Sequence, residues 1–403
     1  MKKFMFSLLA VAAVAACSKA PQENVELNSA QENVELNSAP EESGAPEQVL
    51  LSTNVKATVE AKSQGGVDAW DATQNLHIYA YQRVAGGVDY TTATPLINNV
   101  LAVSPAAGQP DNTIGVYKPG TSEPYFYEGS RTYDFYGFYV DDLAVTPRAE
   151  NNALYVPLEI SGGEDVMVAQ ADPQTDYNNA VTNNLFTGDA ANWNVRYAYS
   201  AYAARRGVHP SLKFEHQLAR FRFYIKSGSD FDVTGTDDNL VVKGLSVKSN
   251  YKADLCVAGG QQGLVNVVSE TKDLVLCSLD PATRKLVDLI PYEVPDKDVV
   301  IEDESNLLGE SVMVMPGEAS YEIELVMSQS GSESKLPVTL KITDVKDENG
   351  VSVSQTSFQK GYSYKVYITV VGLAEAIISA ELEPWTAGGR IDIDSDSAPE
   401  VIE

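Results

Sequence analysis

Few residues in the sequence are of a type that carries out chemistry. The cysteines and histidines are Cys17, Cys256, Cys277, His77, His209 and His216. No G-x-S-x-G turn, H-E-x-x-H motif or glycine-rich phosphate loop occurs, and no cysteine stands near a histidine at a spacing useful for nucleophilic catalysis. His216 follows a strand-like run, where a structural hydrogen bond to local backbone is the better interpretation. The sequence therefore predicts no catalytic set, no metal site and no cofactor.

Acidic residues leave one catalytic hypothesis open. Glycoside hydrolysis needs two carboxyl groups at a set separation, which only the folded chain can provide. The chain carries 56 Asp and Glu against 29 Lys and Arg, which gives a net charge of -27. A surface of this sign repels nucleic acid and has no basic stripe to bind it. The charge therefore excludes a nucleic-acid partner and mainly indicates solubility.

Cys17 has the clearest chemical role. It follows a basic start at Lys2 and Lys3 and an apolar run over residues 4–14, and it ends the small-residue sequence VAAC. This order is that of an export signal, and the apolar run is too short to span a membrane permanently. Because VAAC resembles the lipobox of bacterial lipoproteins, we expect residues 1–17 to form a signal peptide and the Cys17 thiol to be acylated, as with palmitate. Cleavage near Cys17 without a lipid is the alternative.

Two further patterns concern covalent and metal bonds. Cys256 and Cys277 lie in neighbouring strand-like runs, and in an exported protein they can form a disulfide or stay as buried thiols. Both alternatives remain open. The acidic stretch 392–403 imitates part of a calcium loop, but Ser397 stands at the position that needs glycine. We therefore interpret this stretch as a solvated acidic tail.

Composition divides the chain after the signal into a tether and two folded parts. Residues 18–48 are polar and contain the unit QENVELNSA twice, which predicts a flexible acidic tether because little of it can be buried. Residues 49–228 and residues 229–403 are each long enough for a domain. We place the boundary within 227–238, where glycine, serine, aspartate and threonine cluster.

A period of two in the apolar residues predicts strands along both folded parts. The first strand alternates over residues 49–59. The clearest case is ARFRFYIK at residues 219–226, whose aromatic side chains should point inward and whose arginines should point outward. A short helical turn is expected near residues 178–186, and the pair Arg205-Arg206 falls in a stretch with the composition of an exposed loop. Many short strands separated by turns predict an all-β chain of two antiparallel β-sandwich domains.

The order and spacing of several segments add a family resemblance. These segments are Trp70, LHIYAY at residues 76–81, YDFYGFY at 133–139, DVMVA at 165–169, LKFEHQLAR at 212–220, KGYSYKV at 360–366 and Pro384-Trp385. Together they make the chain, from Cys17 to its last residue, similar to the fimbrillin-like lipoproteins that build type V pili in Bacteroides-type Gram-negative bacteria.

The resemblance implies two transthyretin-like β-sandwich domains with Greek-key connections, a lipoprotein of the outer membrane, and a place in a pilus on the cell surface. In this family the first strand is often removed by proteolysis, and a strand from the next subunit fills the groove that is left. Other pilin subunits, identical or paralogous, are then the expected partners. The detachable strand would carry Val49, Leu51, Val55, Ala57 and Val59.

The processing site and the donor strand are also implied by the resemblance. Family processing typically follows an arginine, but no arginine lies in residues 49–82. Lys56 and Lys62 are the basic residues available, and Lys62 precedes a glycine-rich loop. The donor strand is expected in the tail, where Ile391 and Ile393 fall on one face.

The leading hypothesis is a pilus subunit of stalk or tip that contributes to adhesion and has no enzymatic activity. The alternatives are an uncleaved anchor, or a monomeric surface lipoprotein that binds a glycan, a host protein or another bacterial surface ligand. Aromatic side chains exposed at loop tips, such as Tyr125, Tyr127 or Trp193, would favour the binding protein. A hydrolase with an unrecognised carboxylate pair is the last alternative.

Overall fold

The chain is almost entirely β-structure, so the predicted all-β class is confirmed. The computed structural model describes residues 38–55, 74–104, 113–228, 240–280, 282, 285–295, 299–300, 306–347, 349–373 and 375–383. Within these ranges no helix has the length and apolar character that a bilayer crossing requires.

The strands follow one another closely along the chain. Up to residue 227 they are β1 (Leu50–Val55), β2 (Asn75–Gln82), β3 (Ile97–Val103), β4 (Thr113–Gly115), β5 (Tyr133–Tyr139), β6 (Arg148–Glu150), β7 (Ala153–Glu159), β8 (Met167–Gln170), β9 (Ser211–His216) and β10 (Ala219–Ser227). After residue 227 they are β11 (Val241–Asn250), β12 (Lys252–Ala258), β13 (Gly263–Val265), β14 (Thr271–Val275), β15 (Cys277–Leu279), β16 (Leu286–Asp288), β17 (Tyr292–Glu293), β18 (Leu307–Val314), β19 (Ser320–Gln329), β20 (Ser332–Lys341), β21 (Val345–Lys346), β22 (Ser363–Gly372) and β23 (Glu375–Glu383).

Within the described ranges, helical structure is confined to short elements. They are α1 (Pro173–Thr182), α2 (Ala201–Ala204) and the 3-10 turns Ala190–Asn192, Val195–Tyr197 and Ile342–Asp344. Helix α1 begins before the helical turn predicted near residues 178–186. The reason is local, because the Asp172 side chain accepts a hydrogen bond from the Gln174 backbone N and Pro173 suits the first turn of a helix.

One sheet builds the N-terminal core and contains β1. Among the described strands its order is β3-β2-β5-β8-β9-β1-β4. Its strand β3 alternates over its last four residues: Val100 and Ala102 are buried, while Leu101 and Val103 face solvent. Buried side chains on one face of these strands form an apolar cluster that includes Phe135. Buried side chains on the other face, such as Tyr136 and Phe138, belong to the second cluster of the molecule. One face of the sheet therefore supplies the N-terminal core, and part of the other face is buried as well.

The C-terminal strands form several smaller sheets around a second core. Their described orders are β18-β10-β22-β23-β21, β14-β11-β19-β20 with β17 beside β11, β13-β12-β7-β6, and β15-β16. Most pairs in the molecule are antiparallel, as predicted, while β1 with β9, β10 with β22 and β21 with β23 are parallel. A buried cluster that includes Val156, Leu255, Leu325 and Val366 joins these sheets.

Strand pairing crosses the predicted boundary between residues 228 and 229. Strand β10 precedes that boundary but pairs with β18 and β22, and β7 pairs with β12. The sheets therefore do not separate there. The prediction that the arginines of β10 point outward is wrong for Arg220. That side chain is buried, and its Nε donates a hydrogen bond to Ser363 Oγ at 3.0 Å.

An aromatic cluster lies in the core beside β10. The ring of Phe221, a fully buried residue, lies 5.2 Å from the rings of Tyr321 and Phe358 and 5.7 Å from that of Tyr364, measured between centroids. These rings come from β10, β19, β22 and the segment before β22, so Phe221 joins elements that are distant in sequence.

We predict that Phe221→Ala lowers the free energy of unfolding by about 3–5 kcal/mol, because it removes a large apolar side chain and leaves a cavity among rigid rings. Urea titration measures the change. Phe126→Ala is the matched control, since Phe126 is 37% exposed and should cost far less. Equal losses for the two variants would contradict the central role of Phe221.

Candidate functional site at the first strand

Strand β1 lies between two partners that the chain supplies much later. Leu50–Ser52 pairs antiparallel with β4, and Ser52–Val55 pairs parallel with β9. The side chains of Val49 and Leu51 are fully buried in the N-terminal core. Backbone pairing on both sides and apolar burial on one face therefore hold β1 in place.

The chain immediately before β1 is docked on the fold. The Ala39 backbone N donates to Ser130 O at 2.8 Å, the Val49 N donates to Tyr125 O at 2.8 Å, and the Tyr127 N donates to Glu47 O at 3.0 Å. Residues 38–48 were predicted to belong to the flexible tether. That prediction is wrong for this stretch, because its backbone finds partners in the segment 124–131.

Two arginines hold the docked stretch by its acidic side chains, and we call the set Arg205, Arg206, Glu42 and Glu47 the arginine clamp. Arg206 bonds both carboxylate oxygens of Glu42, at 2.5 and 3.0 Å. Arg205 lies 3.6 Å from the carboxylates of Glu42 and Glu47 and donates to Ala45 O at 2.9 Å. The hydrogen bond from Arg206 lowers the pKa of the Glu42 carboxyl.

The surroundings of the arginines show why their loop is not freely exposed. The Arg206 guanidinium lies over the Tyr202 ring, 3.6 Å from its centroid, and both arginine side chains are about three-quarters buried, with exposed fractions of 25% and 22%. The prediction of an exposed loop is wrong for this pair. Sequence inspection also missed the clamp, although adjacent arginines in so acidic a chain were a signal.

The loop that carries the arginines is fixed at both ends. Ser200 caps α2 by accepting a hydrogen bond from the Ala203 backbone N at 3.2 Å. Gly207 ends the turn with φ +76, and a Cβ added there would lie 2.3 Å from Leu185 O. Only glycine satisfies both demands, so the chain turns sharply after Arg206 and proceeds to β9.

A buried carboxyl ties helix α1 to the start of β9. Asp176 accepts a hydrogen bond from the Ser211 backbone N at 2.8 Å and another from the Tyr199 hydroxyl. Burial disfavours the charged carboxylate and raises the pKa of Asp176 to about 7, although both hydrogen bonds oppose that shift. Asp176 thus positions the residue of β9 that pairs with Ser52 of β1.

Comparison with known proteins identifies the family. The sequence matches the model of the fimbrillin-like family over residues 53–385. The chain belongs to the fimbrillin-like family. The resemblance seen in the sequence is thereby confirmed, and membership indicates a structural, non-enzymatic protein with a role as a pilin or in adhesion.

Solved structures similar to this fimbrillin-like protein are distant in sequence. A fimbrial protein from Bacteroides vulgatus is 16% identical, with 84% of this chain and 99% of that chain covered and a TM-score of 0.44. A proposed cell adhesion protein from Bacteroides uniformis is 14% identical, with 84% and 99% covered and a TM-score of 0.45. No curated protein matches the chain.

Several predicted site residues of the fimbrillin-like protein fall outside the described residues, and their roles stay predictions. They are Cys17, Lys56, Ala57, Val59, Lys62, Ile391 and Ile393. Val55 is the last described residue of β1, where its backbone pairs with that of Phe214. Cys256 and Cys277 are free thiols on β12 and β15; Cys256 is buried, as in the alternative to a disulfide, whereas Cys277 is partly exposed.

The histidine and aromatic residues that the sequence offered as candidate functional residues of the fimbrillin-like protein pack inside the fold. His216 Nδ1 lies 3.0 Å from the Asp165 carboxylate, and neither side chain is exposed, so this contact replaces the expected bond to local backbone. Tyr127 is buried, and Tyr125 and Trp193 pack against the N-terminal core rather than standing free at loop tips. In the described ranges no group of three His, Cys, Asp or Glu residues suits a metal ion.

We predict that the stability contributed by Asp176 falls as pH rises from 5 to 8. Its pKa is about 7 in the folded protein and near 4 when unfolded, so the unfolded state holds fewer protons in this window and stability declines with pH. The measurement is the urea unfolding free energy of the wild type minus that of Asp176→Asn, which should fall by about 2 kcal/mol across the window.

Asp172→Asn, in the cap of the same helix, is the control. Hydrogen bonds lower the pKa of Asp172, so it titrates below this pH window and its difference should stay constant. A constant difference for Asp176→Asn as well would show that burial does not raise its pKa.

Proposed function

We propose that the protein is a structural subunit of a type V pilus, exported as a lipoprotein and assembled by strand exchange after its first strand is removed. The observation that carries the proposal is the position of β1, inserted between β4 and β9 with Val49 and Leu51 fully buried. A strand held by its neighbours on both sides leaves a complete vacancy when it departs.

The vacancy would be costly for an isolated subunit. Departure of β1 exposes backbone groups of β4 and β9 that pair with it and opens the apolar floor that Val49 and Leu51 cover. Full burial of one such side chain contributes about 1.5–3 kcal/mol, and an open strand edge readily accepts another strand. A strand from a second subunit restores both kinds of contact, which is the driving force for assembly.

The same cut would release the subunit from the membrane. The predicted lipid on Cys17 and strand β1 lie on one side of Lys56 and Lys62, and the rest of the fold lies on the other. One cleavage after either lysine therefore detaches the anchor and frees the strand together. This coupling favours a processed pilin over an uncleaved anchor, because a subunit becomes competent to assemble only when it is no longer tethered.

We predict that protein recovered from the surface of its own host begins at Ser63, following cleavage after Lys62, and forms polymers. N-terminal sequencing and intact mass measure this. Lys56→Gln combined with Lys62→Gln, which removes both candidate cleavage sites, should leave the acylated Cys17 in place and abolish polymers. Lys118→Gln, at an exposed lysine paired with Glu123, should change nothing. An intact acylated Cys17 on a monomer would point instead to an anchor or a surface-binding lipoprotein.

Deletion of residues 391–403 should stop assembly and leave the monomer folded, because this stretch holds Ile391 and Ile393, the predicted donor side chains. Polymer ladders on mildly denaturing gels report assembly, and the thermal midpoint reports folding. Deletion of residues 401–403 alone keeps Ile391 and Ile393 and should permit assembly. Polymers formed without residues 391–403 would rule out the tail as donor.

A further inference from the structure

Removal of the first strand would also empty the arginine clamp. Residues 38–49 carry Glu42 and Glu47, so these carboxylates leave Arg205 and Arg206 when the segment departs. A planar guanidinium that is mostly buried is best satisfied by a carboxylate, which it can bind through two parallel hydrogen bonds. The vacated site should therefore bind a segment that carries acidic residues for the arginines as well as apolar residues for the groove.

We propose that Arg205 and Arg206 bind the acidic tail (residues 391–403) of a second copy of the chain, which enters in the direction opposite to β1. The inference rests on the proposed strand exchange and specifies the partner segment and its polarity. The order of charged and apolar residues is reversed between the two segments. The tail sequence IDIDSDSAPEVIE places Asp394, Asp396 and Glu400 after Ile391 and Ile393, whereas the N-terminal segment places Glu42 and Glu47 before Val49 and Leu51.

Alignment of the tail on the first strand decides its direction. In the opposite direction, Ile391 takes the place of Leu51 and Ile393 that of Val49. Asp394 and Asp396 then flank the place of Glu47, and Glu400 takes the place of Glu42. If the tail instead ran in the same direction as β1, with Ile391 at the place of Val49, Gly389 and Pro384 would take the places of Glu47 and Glu42. Arg390 of the tail would then lie beside the arginines of the clamp. That arrangement sets like charges together, so electrostatics favours the reversed tail.

Backbone pairing does not decide the direction of the tail. Strand β1 is parallel to β9, with which it shares the register Ser52–Val55, and antiparallel to β4, with which it shares Leu50–Ser52. A reversed strand would be antiparallel to β9. Antiparallel pairs are slightly more stable per residue than parallel pairs, so what a reversed strand gains over the four registered pairs with β9 it largely gives up over the three with β4. The charges therefore decide the direction.

A charge swap on the full-length protein tests the inference. The variant Glu42→Lys, Glu47→Lys, Arg205→Glu and Arg206→Glu keeps the clamp paired within the chain but presents an acidic site once the segment leaves. We expect at least a tenfold loss of polymer on the host surface. The tail variant Asp394→Lys, Asp396→Lys and Glu400→Lys should lose polymer to the same extent, and the two sets combined should restore it.

The matched control reverses two ion pairs on another sheet. The variant Lys243→Glu, Lys248→Glu, Glu322→Lys and Glu333→Lys swaps the same number of charges at exposed pairs and should polymerise normally. In the unmodified protein, a peptide of residues 391–403 should block ladder growth, whereas the peptide with lysine at positions 394, 396 and 400 should not. This second measurement does not depend on the folding of any variant.

The outcomes separate the inference from the proposed function. If the wild type polymerises and the clamp variant does so equally well, the clamp does not recognise the tail and the inference is overturned while strand exchange stands. If both charge variants fail and their combination also fails, the tail does not meet the clamp in the reversed direction. If the wild type forms no polymer at all, the proposed function itself is wrong.

Discussion

The insertion of β1 between β4 and β9 is the constraint on which the N-terminal sheet depends. In the described pairings, β4 and β9 are joined to one another only through β1, because each pairs with it from an opposite side. Helix α1, the turn at Gly207 and the bond from Asp176 all serve to bring β9 to that position. The strand that completes the sheet is therefore also the strand whose loss would open it.

Two kinds of contact hold the N-terminal segment, and they differ in what they contribute. Burial of Val49 and Leu51 contributes about 1.5–3 kcal/mol for each side chain, whereas a partly exposed ion pair rarely contributes more than about 1 kcal/mol. The apolar side chains thus supply most of the stability. The arginine clamp contributes little stability for its number of bonds. A positively charged side chain placed beside Arg205 and Arg206 would be repelled, however. The role of the clamp is therefore to select which segment fills the groove and in which direction.

Local sequence predicted the elements well and their partners poorly. The period of two located β10, because alternation is a property of each strand alone. Which strand pairs with which is set by the whole fold, and so the division at residue 228 missed that β10 pairs with β22 far along the chain. The hydrogen bond from Arg220 to Ser363 follows from that pairing, because the two residues are partners in its register.

The candidate site shows the same limit. Val49 and Leu51 were found from their alternation, but Arg205 and Arg206 looked like an exposed loop because their acidic partners lie far back in the sequence, in a stretch with the composition of a tether. The bond between His216 and Asp165 likewise joins distant residues. Helix α1 could have been placed better, since an aspartate followed by proline is a local signal for a helix start.

The direction proposed for the tail has a consequence for the order of exchange. The clamp contacts are partly exposed and can open to water, while Val49 and Leu51 cannot leave without uncovering the apolar floor. Exchange that begins at the clamp would let the acidic residues of the tail occupy the arginines while both apolar side chains are still seated. Ile393 would then replace Val49, and Ile391 would replace Leu51. Each step uncovers one apolar position at a time, which costs less than emptying the whole groove before the partner arrives.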